Sequence, residues 1–229
     1  MVKLDENYPV NPDKNEAFKS FAKELRFTMD LFVGHVVIPY HDDDDDDDND
    51  NEMTEELKLA KQYNITGHEN MPAIFLYRQN DFENPIRFNV KQQFDSYTLR
   101  DFIRINVPGL SLRLESCLPE FDILAKTFIN DNDKSMEKRK QIMETIEKQM
   151  NNMNDDDDRK ELAKIYLKIM QRIVERGDIF IESEFERIRN LLNGRLSQMK
   201  KIQLKNRLNI VDSFRSLATT INENGKDEL

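Results

Sequence analysis

The chain has one cysteine and no tryptophan. Cys117 is the only sulfhydryl among 229 residues, so neither an intramolecular disulfide nor a Cys-x-x-Cys redox pair can form. Dithiol exchange needs an attacking thiolate and a second sulfur that resolves the mixed disulfide. The sequence therefore excludes dithiol oxidoreductase activity. We predict that Cys117 is a small packing residue near a domain junction, with a regulatory or intermolecular thiol as the alternative.

A long hydrophobic run is also missing. No segment approaches the roughly 20 apolar residues that cross a bilayer, so we expect no membrane span. Residues 1–7 lack the apolar core and the small-residue cleavage site of a secretory signal. The chain thus begins without a recognisable targeting segment.

Positive charge is outnumbered, with 34 Lys and Arg against 44 Asp and Glu, but the resulting net charge of −10 has a local origin. Asp42–Asp48, Asp50 and Asp155–Asp158 supply twelve negative charges, and the remainder carries +2. No basic stripe indicates a nucleic-acid partner. The tracts are typical of solvated low-complexity loops. A weak calcium site is the alternative, although Asn49 replaces the turn glycine of an EF-hand loop.

The three histidines, His35, His41 and His68, show no metal-ligand spacing with one another. We therefore predict no bound metal and no cofactor. His35 is predicted to lie in a strand, and His41 and His68 on surface loops.

The first half of the chain alternates strand and helix patterns, which predicts an α/β domain. The run over residues 31–38 is short, β-branched and almost wholly apolar, as in a strand covered on both faces. The predicted elements are a strand ending near residue 4, a helix from Pro12, strands over 31–38, 73–77 and 86–90, and helices over 53–63 and 97–107.

After Pro108-Gly109 the strand patterns stop. Apolar side chains between Leu162 and Val174 repeat at i, i+3, i+4 and i+7, which indicates a core-facing helix that ends at Gly177. The segment Ser183–Glu186 has the pattern of a capping box, and we predict that it opens the next helix. The second half is thus predicted to be an all-helical domain of about five helices.

These patterns give the expected organisation. The α/β domain covers residues 1–107, a linker covers 108–118, the helical domain covers 119–222 and a flexible tail covers 223–229.

Several segments resemble the endoplasmic reticulum resident protein 29 (Windbeutel-like) family, a redox-inactive branch of the protein disulfide isomerase superfamily. The matching segments are Tyr8-Pro9, residues 71–78, residues 81–85, Cys117-Leu118-Pro119, residues 166–170 and Leu208-Asn209-Ile210. The resemblance implies a thioredoxin-like domain that lacks its first strand and helix in this chain, followed by a five-helix domain. It also implies a cis-proline at Met71-Pro72.

The resemblance further implies a chaperone or escort of secretory proteins without disulfide chemistry. In thioredoxin-like domains an extended peptide can pair with the backbone before the cis-proline. We therefore expect Tyr8, Pro9, Val10, Met71 and Pro72 to contact unfolded or secretory clients. The alternative is that Tyr8 and Met71 only pack the turn.

The last four residues, Lys226, Asp227, Glu228 and Leu229, spell the retrieval address of soluble residents of the endoplasmic reticulum. This address implies a retrieval receptor as a partner and the lumen as the location. No signal precedes it, so either the signal peptide and the first elements are absent from this chain or the tail is unused. We favour the first alternative and expect a signal peptide and one further strand–helix unit to be encoded upstream of Met1.

Lectin chaperones are a further partner that the resemblance implies, as is a homodimer formed through the N-terminal part of the first domain. Much of that part is absent from this chain, so we do not expect the usual dimer here. The competing interpretation is an acidic, low-affinity calcium-binding or scaffold protein of the same lumen.

Overall fold

The computed structural model describes residues 1–39, 54–65, 67–130, 135–154 and 157–224, with side chains up to residue 215. The predicted retrieval signal Lys226–Leu229, the tract Asp42–Asp50 and His41 lie outside the described residues. The chain divides into two compact units, Met1–Leu112 and Arg113–Leu229.

The first unit is built on a four-stranded mixed sheet with the order β2-β1-β3-β4. The central strand β1 runs parallel to β2 and antiparallel to β3, and β4 pairs antiparallel with β3. This arrangement confirms the predicted thioredoxin-like α/β domain. Its elements are β1 (Val2–Glu6), α1 (Pro12–Glu24), β2 (Gly34–Ile38), α2 (Glu55–Gln62), a 3₁₀ turn (His68–Asn70), β3 (Ala73–Arg78), β4 (Asp81–Arg87) and α3 (Ser96–Asn106).

Strand β1 presents different chemistry on its two faces because successive side chains alternate. Leu4 points into an apolar cluster with Ile38, Ala60 and Phe75. On the opposite face, Lys3 and Asp5 form an ion pair of 3.1 Å with side chains only 1% and 0% exposed. The Lys3 ammonium also donates to Oδ1 of Asn15 on α1, at 2.6 Å.

Strand β2 differs from its prediction. It begins at Gly34 rather than at residue 31, and only Ile38 is buried along it. The prediction of a strand covered on both faces was wrong because β2 is at the edge of the described sheet, where it pairs with β1 alone. Its β-branched composition reflects strand propensity rather than burial.

Strand β4 also differs, since it covers Asp81–Arg87 instead of residues 86–90. Asn80 takes a left-handed conformation with φ of 64°, which lets the chain reverse within two residues. The Arg78 guanidinium then pairs with the Asp81 carboxylate at 2.8 Å. The strand therefore begins earlier than its apolar alternation indicates.

The second unit is all-helical, as predicted, and five helices lie within its described part. They are α4 (Pro119–Asn130), α5 (Met136–Asn151), α6 (Asp158–Arg176), α7 (Ile179–Leu192) and α8 (Gln198–Asn224). Helix α6 is the predicted core-facing helix, with Tyr166, Ile169, Met170 and Ile173 fully buried. It ends at Gly177, whose φ of 78° is readily adopted only by glycine.

The predicted capping box at Ser183 was wrong. Helix α7 begins at Ile179, directly after Gly177 and Asp178, so Ser183 lies in its second turn. The Ser183 hydroxyl donates to the carbonyl of Ile179 at 3.0 Å. Gly177 allows the earlier start because its left-handed backbone ends α6 and reverses the chain at once.

The Tyr166 hydroxyl joins two elements of the helical unit. It accepts a hydrogen bond from the backbone N–H of Leu118 at 3.0 Å and donates to Oδ1 of Asp122 at 2.6 Å. Burial raises the pKa of the Tyr166 phenol above its ordinary value. Burial likewise raises the pKa of the Asp122 carboxyl, against the opposing effect of the Tyr166 hydrogen bond.

Charges are segregated along the end of α7 and the start of α8. Residues 187–211 contain seven Lys or Arg side chains and no Asp or Glu. Arg195, Lys200, Lys201 and Lys205 are exposed, and none of the four forms an ion pair with a described residue. By contrast, Arg207 within the same stretch pairs with Glu184 at 2.8 Å.

Candidate functional site

The turn between β1 and α1 holds the first three predicted site residues. Strand β1 ends at Glu6, and α1 begins at Pro12 with Asn11 as its N-cap, whose Oδ1 accepts from the Lys14 N–H at 3.1 Å. Between these points the side chain of Tyr8 is 85% exposed and that of Val10 is 45% exposed. An aromatic ring this exposed contributes little to packing the turn.

The other two predicted residues precede β3. The Met71–Pro72 peptide bond is cis, as the resemblance implied. Pro72 is buried, whereas Met71 is half-buried and packs against the apolar cluster around Leu4 and Phe75. Met71 therefore combines a packing role with a partly exposed thioether.

A short contact connects the two segments. Nδ1 of His68 lies 2.6 Å from Oε1 of Glu6, the last residue of β1. The backbone carbonyl of His68 accepts the N–H of Met71 at 3.1 Å. Because the Met71 N–H is already bonded, an extended peptide beside Met71 can form a backbone hydrogen bond only with the Met71 carbonyl. The backbone pairing expected at this residue is therefore limited to that carbonyl.

A groove of about 580 Å³ opens beside this turn. The ammonium of Lys14 crosses one wall, donating to the carbonyl of Val90 at 3.1 Å and lying 5.8 Å from the centre of the Phe94 ring. The lining combines two acidic, two basic and several apolar or amide side chains: Asn11, Asp13, Lys14, Glu69, Met71, Val90, Lys91, Gln92 and Phe94.

Of the predicted residues, Met71 lines this groove, and the exposed Tyr8 and Val10 stand on the turn that leads to Asn11 at its rim. Pro9 belongs to the same turn, and Pro72 is buried. Sequence reasoning missed Lys14 and Phe94. Only the helix start at Pro12 hinted at Lys14, and nothing local indicated that residues 90–94 fold against it.

The groove has no residue suited to thiol chemistry, since Cys117 belongs to the second unit. Within the described ranges, no group of three or more His, Cys, Asp or Glu side chains is arranged to hold a metal ion. The described helices also include none that is long and apolar enough to cross a bilayer. The arrangement is suited to noncovalent contact.

Comparisons with known proteins agree with this architecture. Residues 1–112 match the family model described as ERp29, N-terminal domain. Residues 116–214 match the model described as Endoplasmic reticulum protein ERp29, C-terminal domain. Protein windbeutel of Drosophila melanogaster is 29% identical over 231 residues, an alignment that covers 100% of this chain and 82% of that protein. Since the two models together cover nearly the whole sequence, the chain belongs to the ERp29 family.

Proposed function

We propose that this protein is a non-catalytic chaperone or escort of the endoplasmic reticulum lumen that binds exposed segments of unfolded or secretory clients. Family membership supports the compartment, and the tail Lys226–Leu229 supports retrieval there by the receptor for that signal. A single cysteine supports a role without dithiol exchange.

The observation that carries the proposal is the exposure of Tyr8 beside the Met71 groove. A rigid aromatic ring offers a large contact area at a low entropic cost, and a thioether adapts to different neighbours. The groove walls contain both signs of charge and amide groups, so they do not select one client charge. Such a surface fits weak binding that tolerates many sequences.

A binding experiment with variants tests the site. A reduced and carboxymethylated secretory protein serves as a permanently unfolded probe, and its dissociation constant is measured by fluorescence anisotropy. Tyr8→Ala and Met71→Ala are each expected to weaken binding by about tenfold, equivalent to roughly 1.4 kcal/mol.

Phe82→Ala is the matched control because Phe82 is another strongly exposed aromatic, 68% accessible, on β4 rather than at the groove. It should leave the dissociation constant unchanged. If Tyr8→Ala behaves like Phe82→Ala, the site assignment is wrong. Insulin reduction should show no turnover for any variant, and turnover would contradict the single-cysteine argument.

The competing proposal, an acidic calcium-binding or scaffold protein, depends on the tract Asp42–Asp50, which lies outside the described residues. Deleting the tract separates the two functions. The chaperone proposal expects client binding to survive the deletion. Calorimetry at millimolar calcium should then show the same small heat with and without the tract, and loss of a large heat would favour the calcium function.

Docking of lectin chaperones is a further proposal that rests on the family alone, and crosslinking in lumenal extracts tests it. The usual homodimer of the family is not expected for this chain, and sedimentation of the purified chain tests that expectation.

A further inference from the structure

The end of helix α2 carries a sequence that has no part in the client site. Asn64-Ile65-Thr66 is the only Asn-X-Ser/Thr triplet in the chain with a residue other than proline in the middle. This triplet is the acceptor sequence for N-linked glycosylation, a modification of chains that enter the secretory lumen. The triplet alone is weak evidence for a modified site, so the inference depends on the structure around Asn64.

The backbone around Asn64 is fully engaged. The N–H of Asn64 donates to the carbonyl of Lys61 at 3.1 Å, and the N–H of Ile65 donates to the carbonyl of Ala60 at 2.9 Å. These are the two bonds of a Schellman motif, in which the residue after the C-cap is left-handed. Asn64 occupies that position with φ of 54°. Ile65 is 3% exposed and anchors the turn in the core.

Unlike the backbone of Asn64, its side chain takes no part in the helix end. It is exposed, and its amide makes no hydrogen bond with any described residue. The helix end therefore uses the backbone of Asn64 and leaves its amide nitrogen in solvent. A large polar group on that nitrogen would project away from the core and would displace no described contact.

We propose that Asn64 is an N-glycosylation site. Nδ2 of Asn64 bonds to C1 of the sugar of a lipid-diphosphate-linked oligosaccharide, the C1–oxygen bond to phosphate breaks, the lipid diphosphate leaves, and the amide loses one proton. The membrane transferase of the lumen reads the triplet in the unfolded chain. Thr66 lies outside the described residues and enters only as part of that sequence.

This inference rests on the lumenal location within the proposed function, and the experiment separates the two. The full chain, preceded by a cleavable secretion signal and ending in its own Lys226–Leu229, is expressed in cultured eukaryotic cells. The readouts are gel mobility before and after peptide N-glycosidase, and mass spectrometry of the peptide that contains Asn64. The expected result is one glycan on the wild type and on Thr66→Ser.

Asn64→Gly and Thr66→Ala should each carry no glycan. Glycine keeps the left-handed backbone of this position, so the loss cannot be attributed to misfolding. A reporter variant, Arg195→Thr, creates a second acceptor triplet at the exposed Asn193 and should add one glycan.

If the reporter triplet is modified while Asn64 is not, the glycosylation proposal is overturned. The proposed lumenal location is unaffected, because the added signal brought the chain to the transferase. If neither is modified, the chain does not reach the transferase, and both the lumenal location and the proposal fall.

Discussion

Nδ1 of His68 lies 2.6 Å from Oε1 of Glu6, and this contact holds the end of the central strand against the turn that precedes Met71. The Glu6 side chain is only 11% exposed, whereas that of His68 is 53% exposed. The imidazole therefore supplies a partner to a carboxylate that little water reaches.

Replacing His68 by alanine should loosen the candidate site around Met71. The mostly buried Glu6 carboxylate would lose this hydrogen-bond donor, at a cost of about 1 kcal/mol in the local opening free energy. Hydrogen exchange measures this quantity region by region, and it should quicken at residues 2–6 and 68–71. Glu69→Ala alters the same turn without touching β1 and should have a smaller effect there. Equal increases in exchange for the two variants would show that the contact between His68 and Glu6 does not stabilise this region.

The buried pair of Lys3 and Asp5 predicts a non-additive response. Lys3→Met alone leaves the Asp5 carboxylate, which is 0% exposed, without its cation and should cost about 3–5 kcal/mol of stability. The double variant Lys3→Met with Asp5→Leu removes both charges and should regain most of that loss. Urea unfolding followed by circular dichroism checks the two values. A single variant as stable as the wild type would contradict the prediction.

Tyr166→Phe should destabilise the helical unit by about 1–3 kcal/mol because the N–H of Leu118 loses its acceptor inside the protein. The ring itself is kept, so packing against neighbouring side chains changes little. Thermal unfolding measures this difference in stability between Tyr166→Phe and the wild type. An unchanged midpoint would mean that water replaces the hydroxyl.

Asp122→Asn changes the acceptor of the Tyr166 hydroxyl, so it is the matched comparison for Tyr166→Phe. It also provides a test of how stability depends on pH. The pKa of Asp122 is raised by burial, so the folded protein binds the proton more tightly than the unfolded chain does. Stability from this group therefore falls as the pH rises from the ordinary value of 3.8 through the raised one. The asparagine variant should lack that slope and be at least as stable as the wild type at pH 7. A large loss of stability at pH 7 would show that the charge is needed.

Glu184 predicts the opposite slope. Burial acts to raise its pKa, but the hydrogen bonds and charges of Arg187 and Arg207 outweigh burial and hold the pKa below its ordinary value of 4.5. The folded protein thus binds the proton less tightly, so this stabilisation is complete above pH 4.5 and is lost as the pH falls through the lowered value.

Acid unfolding between pH 6 and 2.5 measures that loss. Glu184→Gln should show a shallower acid-side decline than the wild type, starting from a lower stability at pH 6. The half-exposed neighbour Glu186, 3.4 Å from Arg189, provides the control, and Glu186→Gln should keep the steep decline. Matching profiles for the two variants would assign the decline to other carboxylates.

Periodicity predicted the elements that bury a continuous apolar face. Helix α6 shows this, since its i, i+3, i+4 pattern and the glycine at position 177 fix both its inner face and its end. The alternation of strands and helices in the first unit followed in the same way, whereas the family resemblance identified that unit as thioredoxin-like. The resemblance added the cis bond at Met71, which no local pattern implies.

The predictions that failed depend on how the elements pack against one another. Strand β2 looks buried in sequence but sits at the edge of the described sheet, where most of its side chains face solvent. Lys3 looks like a surface residue but is buried because Asp5 and Asn15 satisfy its ammonium. Asp5 is close to Lys3 in the chain, but the contact with Asn15 on α1 and the edge position of β2 are set by the fold rather than by the local sequence.

The candidate site was likewise predicted only in part. The exposed turn at Tyr8 and the position of Met71 were predicted, but Lys14, Phe94 and the link from Glu6 to His68 were not. Each of the missed contacts joins residues far apart in the sequence. A single sequence offers no signal for such pairs.

The acid-free stretch over residues 187–211 has a consequence for purification. A protein with a pI near 5.0 is expected to bind anion exchangers only, yet exposed cations act locally because salt screens charge beyond about 10 Å at 0.1 M. Lys200, Lys201 and Lys205 should therefore also retain the chain on a cation exchanger at pH 7 and about 0.1 M salt. Reversing the charges of Lys200 and Lys201 should abolish that second retention and leave the first intact.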